Sequence, residues 1–324
     1  MQNSGFSVSI VIPVRDRFDL LTRCLHSIKQ QDFPAEDFEV IVCDDGSRGD
    51  LSGAIGNFLP GPPAMRLERQ ECRGPAAARN LGIRKSNSPL VLFADSDIVA
   101  DRGLIRSLVS ALQENPGWTA AEACLLPIEG STSPLWEAPD APAGGRFHTA
   151  AIAYRRQALI AAGGLDETFA LPACEDVELA ARVLPQGQIG FVAEAKAYHP
   201  RRKVNLRIRW RSRLHWKYLV ILAKRYGFLA FPERKIRCFS RLRVALAAVL
   251  TLPSGRMIQA LRWIKRNPSG SAIAGLYALF DVLCGLWALP GILFCSIPDR
   301  ADYLQKSASV TGKSLKAIQS ECRP

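Results

Sequence analysis

Three short runs limit what this chain can fold into more than any other feature: 7–14 (SVSIVIPV), 39–43 (EVIVC) and 90–94 (LVLFA). Each is apolar at nearly consecutive positions, not alternate ones, which is the pattern of a strand buried on both faces. Each stops at polar, turn-forming residues: Arg15-Asp16-Arg17, Asp44-Asp45-Gly46-Ser47 and Asp95-Ser96-Asp97. Helical segments lie between them. Leu20, Leu21, Cys24, Leu25 and Ile28 recur at helical spacing. Residues 75–84 (PAAARNLGIR) have helical propensity with Pro75 at the start, and 104–112 reads as a further helix. Residues 65–69 form a weaker strand. This alternation predicts an α/β fold, a mostly parallel sheet with helices on both faces. In open sheets of that kind, ligands bind outside the carboxyl ends of the strands. Pro13-Val14-Arg15, Asp44-Asp45 and Asp95-Ser96-Asp97 are therefore expected to converge on one crevice.

Further acidic residues follow. A helix over 155–162 ends in Gly163-Gly164-Leu165-Asp166-Glu167, and Glu175-Asp176-Val177-Glu178-Leu179 opens a second amphipathic helix. Acids in a first helical turn are favoured by the helix dipole, which explains Glu175 and Asp176 structurally. The functional alternative makes one of them a general base within reach of an acceptor hydroxyl. Asp95 and Asp97 suit a hard divalent cation, which takes one or two carboxylates plus substrate phosphate oxygens; a plain Asx turn explains them equally well in isolation. His199, after a strand over 189–192, gains a functional meaning only if the fold carries it to such an ion.

Taken in order, 9–17 (SIVIPVRDR), 39–47 (EVIVCDDGS), 73–83 (RGPAAARNLGI), 90–97 (LVLFADSD), 163–169 (GGLDETF) and 175–182 (EDVELAAR) resemble a family 2 glycosyltransferase with the GT-A fold. No single motif is specific; six in register are. The resemblance implies an inverting, nucleotide-sugar-dependent enzyme. It implies that Pro13 and Val14, with Arg15 beside them, contact the donor, that Asp44 and Asp45 hold its base or ribose, and that Arg73 and Arg79 reach the nucleotide or the sugar. It implies that Asp95 and Asp97 surround the diphosphate and a Mn²⁺ or Mg²⁺ ion, with Asp97 as the direct ligand and His199 as a further one. Asp176 matches the base and Glu175 its neighbour. Two stretches depart from the family pattern. Thr149-Ala150-Ala151 stands where relatives commonly read Thr-Gly-Asn, and Leu206-Arg207-Ile208-Arg209-Trp210 lacks the glutamine of processive relatives. The second departure favours the addition of one or a few sugars over polymerisation.

Charge divides the chain. Between His199 and Asn267 stand nineteen lysines and arginines and one acid, Glu233, a local balance of +18. The whole chain is +12, so the remainder is −6. The division predicts a glycosyltransferase domain over 1–204 and a basic, helical, membrane-associating region over 205–324. Within the second, 271–297 is apolar with one charge, Asp281, and one proline, Pro290. A spanning helix needs about 20 apolar residues, so a kinked span, a re-entrant hairpin and a buried helix pair all remain open. Residues 244–252 read as an interfacial segment beside Arg241 and Arg243. Anionic phospholipid and nucleic acid both suit the basic stretch, and the adjoining apolar runs favour the membrane.

The chain has nine cysteines, an odd number with no C-x-x-C pair, which reads as reduced thiols packed as small hydrophobes. Residues 1–7 are polar and lack a secretory pattern. Both point to a cytosolic setting, and with the basic stretch and the apolar runs they give an expected place at the cytoplasmic face of a membrane, where a lipid-linked or saccharide acceptor would present its head. The functional alternatives are a catalytically silent nucleotide-sugar- or membrane-binding scaffold and, with less support, a nucleotidyltransferase, whose glycine- and lysine-rich loop has no counterpart in Arg15-Asp16-Arg17.

Overall fold

A computed structural model of the chain describes residues 6–56, 58–128 and 136–204, with Tyr218, Ile221, Leu222 and Arg225. These residues fall into two compact units. The first comprises the described residues up to Pro127 and from Pro139 to His199; the second begins at Pro200 and also takes in the 128–138 stretch.

The first unit is built on a mixed sheet. Its strands are β1 (Val8–Val14), β2 (Phe38–Asp45), β3 (Ala64–Gln70), β4 (Leu90–Ala94), β5 (Val99–Ala100), β6 (Trp118–Ile128), β8 (Ala151–Arg155) and β9 (Gln188–Pro200), the last residues of β6 and β9 leading into the second unit. A short β7 (Trp136–Glu137) pairs antiparallel with β10 (Arg202–Lys203) in the second unit. The order across the sheet is β3-β2-β1-β4-β8-β6-β9-β5. Pairing is parallel through β3, β2, β1 and β4. It is antiparallel at β4–β8, β8–β6 and β9–β5. The parallel arrangement predicted for most of the sheet therefore belongs to its β3–β4 half.

Six helices cover the sheet: α1 (Phe18–Lys29), α2 (Leu51–Gly56), α3 (Pro75–Lys85), α4 (Leu104–Glu114), α5 (Arg156–Ala162) and α6 (Glu175–Val183). Successive side chains of a strand point to opposite faces, and the two faces carry separate cores. Ile10, Ile12, Val40, Val42 and Leu92 pack with Leu21, Leu25 and Ile28 of α1, Leu51 and Ile55 of α2 and Leu104 and Leu108 of α4. Val11, Ile41, Cys43, Val91 and Phe93 pack with Ala76 and Ala78 of α3, Leu159 of α5 and Leu179 and Val183 of α6. Both faces are packed, so the central strands are apolar at most positions, and two buried exceptions, Ser9 and Glu39, satisfy each other, Ser9 Oγ donating to Glu39 Oε1 at 2.6 Å. Helix α3 lies so close to the sheet that a Cβ on Gly82 would stand 2.2 Å from Val11 Cγ1. That approach explains why the helix presents small residues, Ala76, Ala78 and Gly82, where it meets the sheet.

Register aligns the strand ends that matter. Val14 pairs with Asp44, and Val11 pairs with Phe93. The carboxyl ends of β1, β2 and β4 thus meet along one rim. Asp44 and Asp45 sit inside β2, not in the turn after it, because β3 pairs as far as Asp45↔Gln70. His199 likewise lies within β9, a strand of 13 residues. Among the described residues no helix is long and apolar enough to cross a membrane. Segments 244–252 and 271–297, and Arg207 to Trp210, lie outside the described residues, as do Cys238, Cys284, Cys295 and Cys322. Cys24, Cys43, Cys72, Cys124 and Cys174 are all free thiols. Burial pushes the Cys43 thiol up to about 12, consistent with an inert core residue.

Candidate active site

The rim carries two acidic groups joined by one arginine. After β4, Asp95 and Asp97 bracket a turn fixed by Asp95 N–H donating to Ala150 O at 3.2 Å and Ile98 N–H to Asp95 O at 3.3 Å. From β9, His199 Nε2 comes to 3.1 Å from Asp97 Oδ1. The other oxygen of Asp97 is paired with Arg17 Nη1. One donor atom each from Asp95, Asp97 and His199 lie within 4.8 Å of one another. Two carboxylates and an imidazole are a donor set that Mn²⁺ accepts well, and Mg²⁺ through its oxygens. The residues present fit the ion that the resemblance implies.

Arg79 on α3 links this group to the second. Its side chain is 5% exposed; Nη2 reaches Asp95 Oδ1 at 2.6 Å and Nη1 reaches Glu175 Oε1 at 3.2 Å. Burial opposes its charge, but Asp95 and Glu175 outweigh that and raise its pKa. Glu175 and Asp176 open α6. Burial, and then the charge of Asp176, push the Glu175 carboxyl up to about 7 against the pull of Arg79. Its Oε2 is buried and has no hydrogen-bond partner. Asp176 is less enclosed. Its Oδ1 accepts from Val177 N–H at 2.8 Å and its Oδ2 lies 3.1 Å from His148 Nδ1.

The β2 acids face inward. Asp44 Oδ1 accepts from Ser47 N–H at 2.8 Å, and Oδ2 stands 3.4 Å from Arg69 Nη1. Asp45 Oδ1 accepts from Arg73 N–H and Gln70 Nε2, both at 2.8 Å, and Oδ2 accepts from Gly74 N–H at 2.9 Å. Asp45 therefore holds the turn that starts α3. Arg73, on that turn, is largely exposed and pairs with Glu167 at 2.6 Å. Glu167 also accepts from Asn80 Nδ2 at 3.0 Å, so the 163–167 turn is tied to α3. At the end of β1, Pro13 is half-buried, Val14 is buried and Arg15 is exposed. Asp16 N–H donates to Ser47 Oγ at 3.0 Å, and Asp16 Oδ1 accepts from Arg48 N–H at 2.7 Å, which ties the β1 and β2 ends together.

The structure thus gathers Asp95, Asp97, His199, Arg79, Glu175 and Asp176 through direct contacts. It places Asp44, Asp45 and Arg73 on a neighbouring part of the rim. Three contributors were not anticipated. Arg17 lies within the 9–17 stretch, where its charge beside Asp16 was the available signal. His148 directly precedes Thr149. Glu122 is a lone acid inside an apolar strand, and such a residue is informative when buried.

Known proteins match this architecture. Residues 9–121 match the family described as Glycosyl transferase family 2. An uncharacterized glycosyltransferase of Rickettsia bellii is 35% identical over 108 residues, 33% of this chain and 15% of that protein. The pre-mycofactocin glycosyltransferase of Mycobacterium tuberculosis is 31% identical over 200 residues, 56% of this chain and 39% of that protein. The chain thus spans well under half the length of these curated relatives. A mannosyltransferase from Pyrobaculum calidifontis, solved in complex with GDP-Man and Mn²⁺, superimposes with a TM-score of 0.56 at 18% identity, over 88% of both chains. Residues 9–121 thus match the family 2 glycosyltransferases, and the fold that contains them is the GT-A fold.

Proposed function

We propose that this protein transfers a sugar from a nucleoside-diphospho-sugar to an acceptor hydroxyl, with inversion, in a single displacement. The observation that carries this reading is Arg79: one buried guanidinium touches both Asp95 of the candidate cation site and Glu175 of the candidate base pair. Donor-side and acceptor-side chemistry then share one wall.

Asp176 takes the acceptor proton as the acceptor oxygen bonds to the anomeric carbon. The bond from that carbon to the diphosphate breaks, and its electron pair leaves with the nucleoside diphosphate. One carboxylate base and no protein nucleophile give inversion. A Mn²⁺ or Mg²⁺ ion held by Asp95, Asp97 and His199 would offset the charge that builds on the leaving diphosphate. Pro13, Val14 and Arg15 border the donor from β1. Asp44 and Asp45 act on it through the turn they brace, which presents Arg73. Arg79 keeps Asp95 and Glu175 in place by pairing with both.

The acceptor in this reading is lipid-linked or a glycolipid, in glycan assembly of the bacterial type, and the basic stretch after His199 rests on the anionic cytoplasmic face of a membrane. Its +18 balance supports that placement, since each basic residue near such a surface adds about 1 kcal/mol.

A thermal-shift screen of UDP-, GDP- and dTDP-sugars, with and without Mn²⁺, tests the donor. At least one should raise Tm only with the metal, and wild type should release the nucleoside diphosphate of that same donor. Asp176→Asn should bind the same donor and turn over about 10²–10⁴-fold more slowly. Wild-type turnover by Asp176→Asn would remove the base from the mechanism. Co-sedimentation with phosphatidylglycerol vesicles, compared with neutral vesicles and duplex DNA, tests the surface.

A further inference from the structure

We infer that His148 is a positioning residue for Asp176, its ring nitrogen Nδ1 fixing the plane of that carboxylate so that one oxygen edge faces an incoming acceptor hydroxyl. The inference rests on the reading of Asp176 as the base.

Asp176 stands in the first turn of α6, where a short side chain has several rotamers. Two contacts remove that freedom. Oδ1 is held by the Val177 amide at 2.8 Å and Oδ2 meets His148 Nδ1 at 3.1 Å. The pair is only partly enclosed: the side chain of His148 is 29% exposed and that of Asp176 16%. A substrate can therefore approach it.

His148 is itself firmly held. Glu122, buried on β6, takes three successive backbone amides with one carboxylate. Oε2 accepts from Gly145 N–H at 2.7 Å, and Oε1 accepts from Arg146 N–H at 3.1 Å and Phe147 N–H at 2.7 Å. Phe147 has φ 58, a left-handed backbone that a bulky residue rarely adopts. The next two residues run straight into the cation side, where Ala150 O accepts from Asp95 N–H. A buried charge and a strained phenylalanine thus deliver one side chain, and that side chain touches the base.

The ring sees negative charge from three elements: Asp176 on α6, Glu122 on β6 and Asp95 beyond β4. Burial works against its protonation, but Asp176 through its hydrogen bond and charge, then Glu122 and Asp95, raise the pKa overall. The imidazole therefore keeps a donor directed at Asp176 over a wider pH range than a free histidine would. Outer partners that orient a reacting group act through distance, and a misplacement near 1 Å can cost about 10²-fold in rate.

The test uses the full-length chain as wild type, His148→Ala, His148→Asn and Asp176→Asn. Release of nucleoside diphosphate from UDP-glucose, UDP-GlcNAc and GDP-mannose is followed with MnCl₂, and the ring C–H signals of His148 are titrated by NMR. His148→Ala should lower kcat about 10–100-fold with donor KM unchanged, and His148→Asn, whose amide nitrogen can replace Nδ1, should recover most of the loss. The His148 titration midpoint should fall in Asp176→Asn. A role confined to folding would move Tm and KM together and show no rescue by asparagine, which overturns the inference. An inactive Asp176→Asn beside a fully active His148→Ala overturns the inference alone. Equal rates for wild type and Asp176→Asn overturn the base assignment and this inference with it. An unchanged His148 midpoint in Asp176→Asn overturns the pairing even if none of the three sugars is turned over.

Discussion

Glu175→Gln tests the electrostatics of the site through stability alone, without knowledge of the substrate. Glu175 is 5% exposed, shares Arg79 with Asp95 and has one buried oxygen without a partner. Burial first, and Asp176 second, push its carboxyl from 4.5 to about 7. A group whose pKa rises on folding binds its proton more tightly in the folded chain. Its contribution is fully present below the unfolded value of 4.5, declines as pH climbs, and is lost once pH passes the folded value near 7. Each unit is worth about 1.4 kcal/mol, so the whole window amounts to roughly 3 kcal/mol. Glutamine does not titrate. Wild-type stability minus that of Glu175→Gln should therefore fall by about 3 kcal/mol between pH 4.5 and 7.5 and be flat above. Urea unfolding in EDTA, followed by tryptophan fluorescence at half-unit steps, measures both proteins, and the subtraction cancels the titrating groups that do not interact with Glu175. A difference that stays constant across the window would refute proton uptake by Glu175 on folding. A difference that rises with pH would show that the Arg79 attraction outweighs burial, reversing the sign of the charge balance around Glu175.

Two further outcomes follow from the geometry. Asp97→Asn combined with His199→Ala should abolish the heat of Mn²⁺ binding in calorimetry while leaving far-UV circular dichroism unchanged; undiminished binding would place the cation elsewhere. Gly164→Ala puts a Cβ 2.6 Å from Asn80 Oδ1 at a φ of 74, so it should destabilise by more than about 1 kcal/mol; a thermal melt at or above wild type would show that the 163–167 turn is not held against α3 as described.

Strands β1, β2 and β4 and helices α1 and α3 were legible because burial on both faces leaves few positions where a polar residue is tolerated; β3, with partly exposed positions, read as a weaker strand, and the short helix α2 was not anticipated. Runs 39–43 and 90–94 lie within or coincide with β2 and β4. Strands β6 and β8 were not legible. Their sequences, WTAAEACLLPI and AIAYR, are rich in alanine, which has weak strand preference. They are strands because neighbours in the sheet supply the pairing. The acids of the site were legible as clusters, since each ends a strand or opens a helix. Their partners were not. The resemblance marks Arg79 for the nucleotide or the sugar, and only the fold shows that α3 drives it between Asp95 and Glu175. Glu122 and His148 lie 26 positions apart and meet through the 145–147 backbone, a contact with no periodicity to betray it.

The backbone supplies a further argument that these side chains belong to one site. Among the described residues three that are not glycine have left-handed φ: Asp16 at 52, Phe147 at 58 and Cys174 at 68. For Phe147 and Cys174 this conformation costs about 1–2 kcal/mol, and for Asp16 less, because a short polar side chain can hydrogen-bond locally. Each is followed at once by a charged or titratable residue of the cluster: Arg17, which pairs with Asp97; His148, which touches Asp176; and Glu175, which meets Arg79. Two are also held from outside, Asp16 by Ser47 and Arg48 and Phe147 by Glu122, while Cys174 caps α6. Strain of this sort persists only where the surroundings over-determine it, and it gathers at functional sites. Three unrelated segments, 16–17, 147–148 and 174–175, show it in the same relation to the residue that follows. Charges fixed in advance by the backbone need no rearrangement when charge shifts during reaction, and that preorganisation is what a displacement with a departing diphosphate requires.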